Sequence, residues 1–237
     1  FFEASSIRKV EDKYVFIYSR WSNHGEFGLP VTNYTLAYAY SDAPLGPWTY
    51  GGTIIDGRGR ETDEAGNPIA SATVSGNTHG SICEINGQWY VFYHRQTGLD
   101  EFARQAMVAP ITVKVEDGKV VITEGEYDSE GFALEGLDPL EKYSAGIACW
   151  YTGPKVAEHN WPNKIFYGSY VASGYGTDDK FEAPYALRNN HNPVVNNTDG
   201  SIVGYKYFNF TETAGRKDLK LVLGIVPEGI DGTITVM

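Results

Sequence analysis

The sequence predicts an all-β protein whose first half is part of a β-propeller and whose second half is a further set of strands separated by polar loops. No segment shows a helical period of any length, whereas short runs of aromatic and β-branched residues alternate with polar ones between turn residues. Residues 79–95 also align without a gap with residues 4–20. An internal repeat of strand hairpins indicates an architecture built from consecutive similar units.

The first unit contains four predicted strands. Residues 1–20 form a hairpin with a polar turn at residues 11–13, and residues 34–40 form the next strand. The segment 41–47 is rich in turn residues, and residues 48–55 form the fourth strand. Four antiparallel strands with short connections are typical of one propeller blade or of one sheet of a sandwich.

The second unit repeats this order. In the gapless alignment, Ser6 matches Ser81, Tyr18 matches Tyr93 and Arg20 matches Arg95. The turn becomes Asn86-Gly87, the dipeptide that hairpins prefer, and strands are predicted at residues 104–114 and 119–123. We therefore interpret residues 1–125 as two consecutive blades.

Blade geometry brings the chemically active side chains to one end. Glu3 and His79 each stand at the start of the first strand of a blade, and the second strands run back to the same end. A carboxyl group among apolar residues such as Phe1 and Phe2 has its pKa raised, which suits proton donation. The other side chains expected at this end are Arg20, Trp21, His24, His94 and Arg95.

Four motifs in this order resemble glycoside hydrolase family 43. They are residues 1–4 (Phe-Phe-Glu-Ala) with the strand at residues 14–19, the turn at residues 40–48, residues 79–81 and residues 93–95. Family members are five-bladed propellers that hydrolyse arabinofuranosides or xylosides with inversion. The resemblance implies that residues 1–125 are the last two blades of such a domain, and that further blades lie upstream or in another segment.

The resemblance also assigns roles. It implies that Glu3 is the general acid, that His79 contacts a calcium ion at the channel axis directly or through water, and that Arg95 binds substrate. The family's catalytic base and its pKa-tuning aspartate belong to earlier blades, and this chain has no residue at those positions. Trp21 is either a platform for a sugar ring or a capping aromatic residue.

Structural alternatives stay open for each of these residues. Glu3 could pair with Arg8 or Arg20, His79 could be a hydrogen-bonded core histidine, and Arg95 could brace the channel. Trp48 and Trp89 stand in strands and are expected in the core.

Residues 126–237 differ in composition and are expected to form a second domain that continues beyond Met237. Strands are predicted over residues 145–151, 164–171, 200–210, 219–225 and 232–237. Residues 204–210, 219–226 and 232–236 resemble carbohydrate-binding modules of family 6, which are jelly-roll sandwiches. Aromatic faces and amides bind sugars in such modules, so the possible ligand residues by type are Trp150, Tyr151, Trp161 and Asn192, although each of the aromatic ones fits a sandwich core better.

Charge and composition limit the partners. The net charge of −11 disfavours nucleic acid and anionic membrane surfaces, and no apolar run approaches the length of a membrane span. The resemblance to glycoside hydrolase family 43 implies an inverting α-L-arabinofuranosidase or β-xylosidase, secreted or periplasmic, that acts on oligo- or polysaccharides of the plant cell wall. The alternative is a propeller that binds carbohydrate without hydrolysing it.

Overall fold

A computed structural model describes residues 3–22, 32–56, 78–96, 104–152, 169–172, 192–225 and 231–237. Its first sheet has the order β1-β2-β3-β4, with every neighbouring pair antiparallel. The four strands predicted for the first unit are confirmed, each within two residues at either end. Their bounds are β1 Glu3–Val10, β2 Lys13–Ser22, β3 Thr32–Ser41 and β4 Thr49–Asp56.

The second sheet confirms three of the four strands predicted for the second unit. It has the order β5-β6-β7, with β5 Gly80–Ile85, β6 Gln88–Gln96 and β7 Arg104–Ile111. The strand predicted at residues 119–123 is also formed, but it does not belong to this sheet. The chain leaves β7 at Thr112 and forms a separate hairpin of β8 Val113–Glu116 and β9 Lys119–Ile122.

Thr112 marks the break because its backbone groups bond within the hairpin. Its N–H donates to Thr123 Oγ1 (2.8 Å), and its carbonyl accepts from the Thr123 N–H (3.0 Å). The hairpin then crosses to the first sheet, where the Gly125 N–H donates to the Ile54 carbonyl of β4 (2.7 Å). The last strand of the second unit thereby covers the first unit instead of extending its own sheet.

The two sheets lie side by side. Ser6 Oγ of β1 donates to Ser81 Oγ of β5 (2.9 Å), and Arg8 Nε donates to the Ile82 carbonyl (3.2 Å). Gly80 has no room for a side chain, since a Cβ there would lie 2.2 Å from the Phe92 carbonyl oxygen and 3.0 Å from Leu36 Cδ2. The shared core joins both sheets and is formed by fully buried residues such as Val15, Ile17, Leu36, Ile55, Ile82 and Val91.

The second half of the chain forms short paired strands. β10 Trp150–Thr152 pairs with β13 Ile202–Gly204, and β11 Tyr170–Val171 pairs with β12 Val194–Val195. The start of the strand predicted at 145–151 is instead a 3-10 turn at Ala145–Ile147, and a second such turn covers Thr211–Thr213.

The strands predicted at residues 219–225 and 232–237 are not formed. Val222 is 87% exposed and Val236 is 69% exposed, and no strand among the described residues pairs with either segment. An apolar segment whose backbone groups have no adjacent strand cannot form a ladder. The jelly-roll arrangement therefore stays a prediction.

Across the described residues, none of the helical segments has the length and apolar character that crossing a lipid bilayer requires.

Candidate active site

Polar side chains concentrate at one end of the two sheets, where β1, β3, β5 and β7 begin and β2, β4 and β6 end. We call this end the polar edge. Six of the eleven buried polar or charged residues among the described ones lie there. They are Ser19, Arg20, Thr35, Asp56, Thr78 and Arg95. Burying this many polar groups is unfavourable unless they bind one another or a ligand, so the polar edge is the strongest candidate for a site in the first half of the chain.

Glu3 is the first residue of β1 and belongs to the polar edge by its register. It pairs with Ser19 of β2, whereas Ser6 pairs with Ile17. Two residues of β1, Ala4 and Ser5, therefore oppose the single residue Tyr18, and Ala4 has a φ of 52°. This is a β-bulge, a feature that often redirects a side chain beside an active site.

Arg20 is buried beside this bulge. Its Nη1 donates to the Tyr50 hydroxyl (2.9 Å), and its guanidinium lies over the Tyr50 ring at 5.6 Å. Its Nε and Nη2 have no hydrogen-bond partner among the described residues. Arg8, the other residue considered as a partner of Glu3, donates to the carbonyls of Ile7 and Ile82. The described contacts of both arginines are thus to neutral oxygens.

His79 precedes β5 at the same edge and is half-buried. Its ring meets the ring of His94 edge-on, with centroids 5.1 Å apart. The described residues contain no group of three or more His, Cys, Asp or Glu side chains that could hold a metal ion. Calcium prefers six to eight oxygen ligands, so the described donor set does not fit calcium.

Arg95 is 1% exposed and contacts the second half of the chain. Its Nε donates to Gln105 Oε1 (2.9 Å), while Nη2 and Nη1 donate to the carbonyls of Gly146 (3.2 Å) and Cys149 (3.4 Å). Gln105 Nε2 donates to the same Gly146 carbonyl (2.8 Å). These contacts favour the bracing role that the sequence left open over direct binding of a sugar.

The structure describes some of the other predicted site residues and not the rest. Trp21 lies in β2, but its side chain is outside the described structure, as are His24 and Trp161. Tyr151 is 1% exposed and belongs to a small core, and Trp150 packs against Gly204. The Ser144 hydroxyl donates a hydrogen bond to the backbone carbonyl of Asn192 (3.4 Å). These contacts fit the core role that was expected of Trp150 and Tyr151.

Sequence reasoning missed two polar residues of this region. Ser19 follows Val15 and Ile17 at the period of a strand, so an inward-facing hydroxyl could have been recognised from the alternation. Gln105 carries no such signal, because its role depends on the fold bringing Gly146 beside β7.

Comparison with known proteins agrees with the motifs. No family model matches the chain. A xylosidase/arabinosidase of Thermoclostridium stercorarium is 34% identical over 226 residues, which cover 93% of this chain and 42% of that protein. A β-xylosidase of Xylanibacter ruminicola is 37% identical over 94 residues, covering 40% of this chain and 22% of that protein. The chain thus spans about two fifths or less of the length of these relatives.

Solved structures were matched over smaller parts of the chain. A family 43 β-xylosidase/α-arabinofuranosidase from a compost microbial metagenome, solved with xylotriose, is 32% identical and has a TM-score of 0.35. That alignment covers 51% of this chain and 29% of the solved chain.

Proposed function

We propose that this chain is the acid-catalyst portion of an inverting glycoside hydrolase of family 43 that acts on xylose- or arabinose-containing glycans. The observation that carries the proposal is the position of Glu3. A carboxylic acid begins β1 at a bulge, at the edge where the buried polar side chains of two repeated sheets converge. The similarity to xylosidase/arabinosidase proteins over 93% of the chain supports the same substrate class.

In this mechanism Glu3, in its protonated form, donates its proton to the glycosidic oxygen as the bond to the sugar breaks. A carboxylate on the opposite side of the sugar activates the attacking water, and the two carboxyl groups of an inverting pair stand about 6.5–9.5 Å apart to admit that water. We propose that this base is supplied by blades preceding Glu3. Arg20 and His79 would complete the polar wall around the sugar.

The experiment uses the protein expressed from its complete gene. Hydrolysis of xylosides and arabinofuranosides is measured, and NMR of the first-formed sugar identifies its anomer. We expect the product to have inverted configuration and Glu3→Gln to lower kcat/KM on natural glycosides by about 10²–10⁴-fold, the usual contribution of general acid catalysis.

Asp42→Asn serves as the control, since Asp42 is an exposed turn residue whose carboxylate contacts Lys13 at the opposite end of the sheet. Binding of xylan or arabinan without hydrolysis by the folded wild-type protein would instead support the non-catalytic alternative. Full activity of Glu3→Gln would remove Glu3 from the mechanism.

A further inference from the structure

An open cleft in the second half of the chain lies between two segments that the proposed mechanism does not use. It has a volume of about 690 Å³, which is within the range of known ligand sites. We call it the aromatic cleft. Its lining includes Glu130, Leu134, Glu135, Tyr207, Phe208 and Phe210.

Aromatic rings are left exposed in this cleft. Phe210 is 56% exposed and Tyr207 is 48% exposed, whereas Phe208 between them is half-buried. The Phe208 ring meets the ring of Tyr143 edge-on, with centroids 5.6 Å apart, and its centroid lies 6.4 Å from that of Phe210. A cluster of exposed aromatic rings marks a binding surface more often than a single exposed residue does.

Hydrogen bonds fix the shape of the aromatic cleft. The Leu137 N–H donates to the Tyr207 carbonyl (2.8 Å), and the Leu137 carbonyl accepts the Asn209 N–H (2.9 Å). Asn209 Nδ2 also donates to the Glu135 carbonyl (2.8 Å). The Tyr207 hydroxyl donates to Glu126 Oε2 (2.8 Å), which holds the orientation of that ring. A site that is already ordered loses less entropy when a ligand binds.

The chemistry of the lining favours an uncharged ligand that is rich in hydroxyl groups. The charged residues described in the lining are Glu130 and Glu135, and this lining includes no lysine, arginine or histidine. Anionic ligands are therefore repelled, whereas carboxylate oxygens accept hydrogen bonds from hydroxyl groups. Sugar rings combine hydroxyl groups with apolar C–H faces, against which aromatic rings can pack.

A cationic peptide is the other ligand that acidic groups and aromatic rings attract. The place that such a cation would take beside Tyr207 is already filled by this chain. Lys206 Nζ lies 5.9 Å from the centroid of the Tyr207 ring and pairs with Glu126 Oε1 (2.7 Å). The described contacts thus favour a sugar over a peptide.

We propose that the aromatic cleft binds a chain of neutral sugars and is a second binding site for the polysaccharide that the protein hydrolyses. The identity of the glycan rests on the proposed function, whereas the binding itself rests on the cleft. None of the lining residues belongs to the polar edge. Phe132, from the segment that lines one side of the cleft, packs against the rings of Tyr90 and Phe92 on β6. A glycan in the cleft is therefore held beside the second sheet.

The test compares Phe210→Ala with Phe132→Ala in the complete protein. Phe132 is a matched control because it is 57% exposed but does not line the cleft. Affinity electrophoresis measures binding to soluble arabinoxylan, and kcat/KM is measured on arabinoxylan and on an aryl xyloside or arabinofuranoside. We expect Phe210→Ala to weaken arabinoxylan binding about 3–10-fold, the usual effect of losing one aromatic contact, and to lower kcat/KM on the polymer by a similar factor. On the aryl glycoside, kcat/KM should stay unchanged in both variants.

If Phe210→Ala fails to fold, Phe210→Leu keeps the apolar volume without the flat ring and should also lose arabinoxylan binding, whereas Phe210→Tyr should retain it. Unchanged binding in Phe210→Leu, or an equal loss in Phe132→Ala, would overturn the proposal. So would binding of oligolysine in place of arabinoxylan, lost in Phe210→Ala and at high ionic strength.

The proposed function can fail separately. Hydrolysis of aryl glycosides by a protein whose arabinoxylan binding does not depend on Phe210 would refute this inference alone. Arabinoxylan binding that depends on Phe210, in a protein without hydrolytic activity, would refute the proposed function alone.

Discussion

Asp128 is a buried carboxyl group in the segment that joins the two halves of the chain. It is 5% exposed, and its Oδ1 accepts the N–H groups of Glu130 (3.1 Å) and Gly131 (3.0 Å). Burial outweighs these two bonds and raises the pKa of Asp128 to about 6. The folded state therefore holds a proton that the unfolded state releases near pH 4, and stability is lost as the pH rises through 6.

We expect Asp128→Asn to remove this loss, because the amide oxygen can accept the same two N–H groups without carrying a charge. The free energy of unfolding at pH 7 should rise by on the order of 1 kcal/mol, and its decline between pH 4 and pH 6 should flatten. Urea unfolding at several pH values measures both. Asp138→Asn is the control, since exposed Asp138 accepts the Leu140 N–H in a similar turn. A variant as pH-dependent as the wild type would show that Asp128 is not the responsible group.

At the scale of single elements, Tyr38 joins β3 to the β8–β9 hairpin. Its ring passes over Gly51, where a Cβ would lie only 2.0 Å from the ring. The Tyr38 hydroxyl donates to the Val120 carbonyl (3.1 Å) and accepts the Ile122 N–H (3.1 Å). The hairpin thereby gains in the first sheet the backbone partners that it lacks beside β7.

Tyr38→Phe should destabilise the protein by about 1–3 kcal/mol, because it leaves a buried N–H and a buried carbonyl without their shared partner. Tyr40→Phe is a matched control on the same strand and the same face, where no hydrogen bond of the hydroxyl to a described residue is found. Thermal or urea unfolding of the two variants measures the difference. Equal stability of both variants would mean that the hairpin is held by apolar packing alone.

The elements show where sequence patterns suffice. β1 to β7 were predictable because runs rich in aromatic and β-branched residues stand between strong turn signals such as Asn86-Gly87. The separation of β8 from β7 was not predictable from the sequence, because Thr112 does not break the alternation of residues that runs through both strands. The residue that bonds to β9, Tyr38, is also distant in the chain. Residues 219–225 carry a strand pattern as well, but a pattern cannot supply the neighbouring strand that a ladder needs.

At the scale of the whole molecule, Arg95 links the two halves of the chain. From β6 it donates to the carbonyl of Gly146, within the 3-10 turn at Ala145–Ile147, and to the carbonyl of Cys149, which follows that turn. Cys149 continues the connection, since its N–H donates to the Gly204 carbonyl of β13 (3.0 Å). A guanidinium at the polar edge thus positions the start of the second half.

Arg95→Met keeps much of the apolar volume but removes every donor, so the Gly146 and Cys149 carbonyls lose their charged partner. Bonds to charged groups contribute about 1.5–3 kcal/mol, and we expect a loss of that size. Amide exchange at residues 147–149 should become faster, while exchange in β1 to β4 stays as it was. Arg8→Met is the control, since Arg8 donates to carbonyls within the first half only. Unchanged exchange at residues 147–149 would show that Arg95 does not hold the turn.

Only part of the candidate active site could be predicted from the sequence. The position of Glu3 at the start of a repeated hairpin was evident from the alignment of residues 4–20 with 79–95, and the structure places both hairpins side by side. The bulge that pairs Glu3 with Ser19 was not evident, because one extra residue in a strand leaves no mark in composition. The buried contacts of Arg95 were also hidden, since they join segments about fifty residues apart in the chain.

The most direct test of the central claim, that Glu3 is the general acid, is the dependence of hydrolysis on the leaving group. In the complete protein, kcat/KM of wild type and Glu3→Gln is measured on aryl xylosides or arabinofuranosides whose phenols span a wide range of pKa. A good leaving group needs no proton, so we expect Glu3→Gln to lose little on the most acidic phenols and about 10²–10⁴-fold on natural glycosides. An equal loss across the whole series would contradict the account and assign Glu3 a structural role.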